Sequence, residues 1–275
     1  MTTPLPDPSH VIHIIREVAS REIMPRVRKL GTADVSYKRH PRDLVTIADT
    51  EAERRLAQLL QPLSPGSTVV GEEAAEADAD VLALLGRAAP VWLLDPIDGT
   101  TNYACGKACF VVIVGFCAED ETLGGWIYDP SDDVVLWAVA GGGAWLEHGG
   151  ERRRARVSAG GEIGGMRGSL ARRAADRLFG SLAARGGGQP PEIVRYGSVG
   201  REYMDLGRGA IHFAEYTRLK PWDHAAGVLI HREAGGFSRL RRNRSPYGAR
   251  PYILEERLLL APDETTWRTL DGMLG

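Results

Sequence analysis

The chain has 275 residues, enough to bury a large core in one big domain or in two closely packed halves. Its 34 Lys plus Arg and 36 Asp plus Glu leave a net charge of -2, which gives no reason to expect nucleic-acid or membrane binding. Hydrophobic content of 43% and charged content of 25% are those of a globular protein, and no apolar run approaches the ~18 residues of a membrane span.

In chain order, the segment Ser9 to Leu30 reads as a helix, because Val11, Ile14, Ile15 and Val18 recur on one face. Ser9 can cap its start, Pro25 bends it, and Gly31 follows its end. Leu44 to Ile47 is a short apolar stretch leading to Asp49. A second helix is expected from Thr50 to Leu60, with Thr50 and Glu53 at the spacing of a capping box.

Thr68 to Val70 reads as a strand running into Gly71-Glu72-Glu73, followed by an acidic loop and a short helix around Val81 to Leu85. Val91 to Leu94 is a buried strand that delivers Asp95-Pro96-Ile97-Asp98-Gly99. Phe110 to Cys117, Leu123 to Tyr128, Val134 to Val139 and Ala144 to Glu147 are β-rich runs between turns, an antiparallel meander. Gly149-Gly150 to Arg156 is the expected boundary between the halves, residues 1–148 and 149–275.

The second half alternates helices and strands. Helices are expected at Asp176 to Arg185, Gly200 to Gly207, His224 to Glu233 and Thr265 to Met273. Strands are expected at Glu192 to Tyr196, Ala210 to Tyr216 and Arg257 to Ala261. The fold class is therefore α+β or layered α/β. Cys105, Cys109 and Cys117 form an odd, sparse set, which points to a reducing, cytoplasmic setting and to small buried or half-buried side chains. Cys105 and Cys109 lack the second pair that a zinc site needs.

The chemistry concentrates in four islands. Two aspartates, Asp95 and Asp98, at the end of a buried strand call for a compensating cation, since isolated buried carboxylates are costly. Hard oxygen donors select magnesium or calcium. Gly99 allows close approach of a ligand, and the amides of Gly99 and Thr100 are suited to phosphate oxygens if they open a helix. A lone Asp-x-x-Asp more often caps a helix than binds a metal. Three further islands alter that balance: Asp43 to Asp49, Gly71-Glu72-Glu73, and Pro221-Trp222-Asp223-His224-Ala225-Ala226-Gly227.

Taken in this order, the islands resemble the inositol monophosphatase family, lithium-sensitive magnesium-dependent phosphatases, over nearly the whole chain. Glu233-Ala234-Gly235-Gly236 is similar to the family as well. The resemblance implies a layered αβαβα sandwich, usually a homodimer, with the site between the halves. The first half would carry most metal ligands, and the second would supply Asp223 and substrate contacts.

The resemblance further implies two or three Mg2+ ions held by Glu72, Asp95, the Ile97 carbonyl, Asp98 and Asp223. Thr100 paired with Asp49 would be the catalytic group that orients water. Gly99, Thr100, Lys38, Gly197 and Ser198 would meet phosphate or substrate. The implied reaction is hydrolysis of a small phosphate monoester of a polyol, sugar or amino alcohol.

Substrate choice departs from the inositol pattern. Tyr216 stands where inositol enzymes carry a glutamate that contacts a substrate hydroxyl, seven positions before Asp223. Glu215 is one position off and, on a strand, faces the other way. His212 replaces a common aspartate, and Val199 replaces the alanine after Gly197-Ser198. Thr101 stands where the 3′,5′-bisphosphate nucleotidase branch usually has lysine. A regulatory, RNA- or protein-binding role on the same scaffold is the reading from a different class. Against it, the cluster Arg239, Arg241, Arg242 and Arg244 reads as a solvated basic loop.

Overall fold

The computed structural model describes residues 4–31, 34–37, 44–119 and 121–275. Helix α1 (Pro8–Val18) is capped by Asp7, whose Oδ1 accepts from the Ser9 amide at 2.8 Å. The cap thus falls two residues before the expected Ser9. The α-helix stops at Val18, and a wider-turn segment and a short tight turn carry the chain to Arg26. Two short strands, β1 (Val35–Tyr37) and β2 (Leu44–Thr46), pair with each other.

Helix α2 (Ile47–Leu60) begins earlier than expected. Its capping box is Thr46 with Asp49, not Thr50 with Glu53: the Asp49 Oδ2 accepts from the Thr46 amide at 2.8 Å and from its hydroxyl at 2.5 Å. Thr46 wins because its backbone is still extended there while the residues after it are helical. Glu53 is thereby released for another task, described below.

Then follow β3 (Thr68–Gly71), α3 (Glu72–Ala77), β4 (Val91–Asp98), α4 (Thr100–Ala104), β5 (Val111–Ala118), β6 (Glu121–Asp129), β7 (Val134–Val139), β8 (Gly143–His148) and β9 (Glu151–Arg154). Strands β3 to β9 form one sheet in chain order, with β3–β4 parallel and the rest antiparallel. The meander is as expected. The Gly149-Gly150 run, however, is the turn of the β8–β9 hairpin. Both glycines have positive φ, which suits a tight strand reversal. A division after residue 148 therefore falls inside this sheet, and the passage to the next sheet is 155–166.

The second sheet is built from β10 (Arg167–Ser169), α5 (Arg172–Ala184), β11 (Glu192–Val194), α6 (Val199–Gly207), β12 (Phe213–Tyr216), α7 (Pro221–Glu233), β13 (Phe237–Leu240), β14 (Leu258–Ala261) and α8 (Glu264–Leu274). Its strand order is β11-β10-β12-β14-β13.

Strand alternation decides the layers. Trp92, Leu94, Val112, Val114 and Phe116 bury against α1 and α2. Val111, Ile113, Ile127 and Leu136, on the opposite face, join Tyr203 and Leu206 of α6, Leu229 and Ile230 of α7, and Ala214 and Leu260 of the second sheet. Phe213, Leu259 and Ala261 turn outward to α5 and α8. The result is an αβαβα sandwich, helices outside and between two sheets. No helix among the described residues is long and apolar enough to cross a membrane. Cys105 is exposed, against expectation, because it ends the short surface helix α4; Cys109 is half-buried and Cys117 buried.

Candidate active site

Strand β4 is buried along its full length, and its register against β5 shifts between Asp95 and Asp98. That irregularity breaks strict alternation at the strand end, where both aspartates are buried, at 2% and 8% exposure. Gly99 follows with φ +95, and a Cβ there would lie 2.9 Å from the Cys109 carbonyl. Only glycine makes this turn without strain or collision. The chain then enters α4 at Thr100, so the Gly99 and Thr100 amides open this helix as the sequence predicts.

Three carboxylates come together from three elements: Glu72 at the start of α3, Asp95 in β4 and Asp223 in the first turn of α7. One oxygen from each lies within 4.8 Å of the others. Burial first, then the charges of Glu72, Asp98 and Asp223, hold the Asp95 carboxyl well above the usual carboxylate range, while Lys220 pulls it back. Such mutual repulsion is relieved by a multivalent cation, and an all-oxygen donor set fits a hard one.

Asp98 stands slightly apart. Its Oδ2 accepts from the Ser198 hydroxyl at 2.5 Å and the Gly200 amide at 2.7 Å. Burial raises its carboxyl, and the hydrogen bonds from Ser198, Gly200 and Val199 oppose that. The predicted substrate residue Ser198 is thus engaged with Asp98, and also accepts from the Arg201 amide as the cap of α6. Gly197 lies beside Asn102, whose side-chain amide donates to the Tyr196 carbonyl at 2.8 Å and the Cys109 carbonyl at 2.9 Å. These bonds tie the loop before α6 to α4.

The Thr100 hydroxyl lies 3.3 Å from Asp49 Oδ1 and 3.0 Å from the Ile97 carbonyl. The Ile97 carbonyl therefore points into the same space as Asp49 and Thr100. Lys38 and Asp43 lie outside the described residues.

Two participants escaped the sequence reading. Glu53 accepts from the Glu73 amide at 2.8 Å and the Ala74 amide at 2.9 Å, and so caps α3 from α2. A Cβ at Gly71 would sit 2.2 Å from the Glu53 carboxyl carbon, which makes this close approach possible only for glycine. Lys220 donates to Glu72 Oε1 at 3.0 Å. Its signal was present: a cation at a helix start opposes the helix dipole and calls for nearby carboxylates.

The specificity positions also have definite places. Glu215 turns away from the site and pairs with Arg241 at 2.8 Å, both nearly buried. Arg241 also meets Asp271 at 2.7 Å, so this part of the arginine cluster is a buried ion pair and not the expected solvated loop. Tyr216 faces α6 and α7, against Tyr203 and His224. Behind it, burial pushes Glu202 up to about 7, partly offset by hydrogen bonding to Ser169 and Tyr216. His212 Nδ1 accepts from the Arg167 amide at 3.2 Å, a role inside the second sheet. His224 is within 3.0 Å of the Tyr203 hydroxyl, and burial lowers its ring to about 3, so it joins α7 to α6 as a neutral group.

A two-sheet αβαβα sandwich with convergent carboxylates defines the class as that of a layered α/β protein whose acidic site suits a hard divalent cation. Comparison with known proteins specifies it. The model of the inositol monophosphatase family matches residues 9–273. An inositol-1-monophosphatase of Bacillus subtilis is 31% identical over 211 residues, 74% of each chain. A fructose-1,6-bisphosphatase/inositol-1-monophosphatase of Thermotoga maritima is 30% identical over 205 residues, 74% of each chain. A Nus factor SuhB of Xylella fastidiosa is 28% identical, covering 80% of this chain and 76% of its own. Among solved structures, a Thermotoga maritima IMPase superposes with a TM-score of 0.77 at 23% identity, over 96% of this chain and 94% of that one, a likeness of fold. The chain belongs to the inositol monophosphatase family.

Proposed function

We propose that this protein hydrolyses a small phosphate monoester, a polyol, sugar or amino-alcohol phosphate, with magnesium as its metal. The observation that carries the reading is the convergence of Glu72, Asp95 and Asp223 within 4.8 Å beside the Thr100–Asp49 pair. Glu72, Asp95, Asp98, Asp223 and the Ile97 carbonyl would hold the ions. Bound divalent ions supply charge neutralisation at the phosphate and acidify water.

The chain's own groups do the rest. Thr100 Oγ1 takes a proton from the attacking water as its own hydroxyl proton passes to Asp49 Oδ1. Asp49 is itself fixed through Thr46, so the pair is positioned before substrate arrives. The amides of Gly99 and Thr100 orient the phosphate, and Ser198 and Gly200 keep Asp98 in place from the second half of the chain. The two halves meet at this point, joined by 155–166. A cytoplasmic homodimer is part of the same reading, supported by the family resemblance.

Phosphate release from a panel tests it, with and without magnesium. The panel holds inositol 1-phosphate, histidinol phosphate, glycerol 2-phosphate, fructose 1,6-bisphosphate and adenosine 3′,5′-bisphosphate. Magnesium-dependent release from one monoester supports the reading, and preference for the adenosine bisphosphate would replace it with the nucleotidase. The Nus factor among the relatives favours one second reading, a regulatory RNA- or protein-binding role. Salt-sensitive RNA retention in a filter-binding assay, without hydrolysis of any panel member, would favour that role.

A further inference from the structure

Lys220 immediately precedes α7, and its ammonium lies 3.0 Å from Glu72 Oε1 and 3.7 Å from Glu76 Oε1. The three side chains are only 13%, 12% and 18% exposed. Glu72 and Glu76 are one helical turn apart on α3, so their carboxylates project from the same face. The Trp222 ring closes another side, with its centroid 5.4 Å from Nζ. Paired with two carboxylates and packed against the indole, Lys220 is a fixed monovalent cation inside the acidic cluster.

A further divalent ion on the Glu72–Glu76 side would have to expel the ammonium from both glutamates.

Building on the metal-binding reading above, we infer that Lys220 takes the place of a third divalent ion. Its ammonium occupies the Glu72–Glu76 side of the cluster and holds Glu72 toward Asp95 and Asp223, so the protein binds two ions per chain. Lys220 is a positioning residue: it acts through Glu72.

Equilibrium dialysis with manganese(II) on the purified full chain tests this, alongside Lys220→Arg, Lys220→Gln and Asp95→Asn, with thermal unfolding to verify folding. Wild type and Lys220→Arg are expected to bind two ions. Lys220→Gln is expected to bind three, the third more weakly. A count of two in folded Lys220→Gln, or of three in wild type, overturns the role of Lys220 and leaves the metal reading standing. Should Lys220→Gln not fold, the wild-type count alone decides. No ion bound by wild type, or no loss in Asp95→Asn, removes the metal reading and this inference with it.

Discussion

Asp49 and Thr100 are 51 positions apart, yet Thr100 Oγ1 lies 3.3 Å from Asp49 Oδ1. Asp49 serves two purposes at once. One oxygen closes the capping box of α2, and the other faces the threonine at the start of α4. A residue needed for a helix to begin is thereby also aimed at the acidic cluster, and its rotamer is fixed by the helix it starts.

Removing the threonine hydroxyl separates these purposes. Thr100→Val is expected to lower kcat by about 10²–10⁴-fold, the range for a positioned proton-transfer group. Thr100→Ser should restore most of it. Since α2 keeps its cap in both, Tm should change little. Steady-state phosphate release and a thermal melt read the two quantities.

Asp223→Asn tests the contribution of α7. The variant should weaken manganese(II) affinity by about 100-fold or more, beyond the 10–100-fold usual for supporting residues. The far-ultraviolet circular dichroism should stay unchanged, because α7 is held by its apolar face and not by this carboxylate. Unaltered metal dependence would remove Asp223 from the ligand set.

Glu53 links stability to ion binding. Glu53→Ala leaves the Glu73 and Ala74 amides without their charged acceptor, at a cost of about 1–3 kcal/mol. A Tm lower by about 5 °C follows for a chain of this size. Manganese(II) affinity should fall too, since α3 carries Glu72. Gly71→Ala should produce both effects through the collision with Glu53.

Glu215 is expected to matter for stability and not for substrate. Glu215→Ala removes one of the two carboxylates on the nearly buried Arg241, leaving Asp271, and should cost about 1–3 kcal/mol. KM for the best panel substrate should be unchanged. A rise in KM without loss of stability would return Glu215 to the substrate site.

His231 governs part of the acid sensitivity. Its ring is buried, both nitrogens lack a hydrogen-bond partner among the described residues, and burial lowers it from 6.5 to about 4. The unfolded chain therefore binds a proton first as pH falls. Stability from this group is complete above about 6.5 and is lost down to about 4, a change of about 3 kcal/mol. Glu202, raised to about 7, works in the opposite sense, with stability falling as pH rises from about 4.5 to 7. Denaturant titrations of wild type and His231→Leu across this range isolate the histidine by difference.

By itself the sequence determined the ingredients. Short β-rich runs between turn residues pointed to the meander of β5 to β8, and the helical spacing in α1 to an apolar face, because these patterns are local and set by the backbone period. The acidic islands and the glycine after Asp98 were equally visible, since burying carboxylates at a strand end demands a partner wherever it occurs. What only the tertiary structure decided was which partner each group took. Thr46 and not Thr50 closed the cap of α2, Glu53 crossed to α3, Glu215 turned outward to Arg241, and Lys220 entered the cluster beside Glu72. The cap is a local choice, but the other three pairings join residues 20 or more positions apart, and they depend on how the elements pack together. The local pattern of either partner carries no record of that meeting.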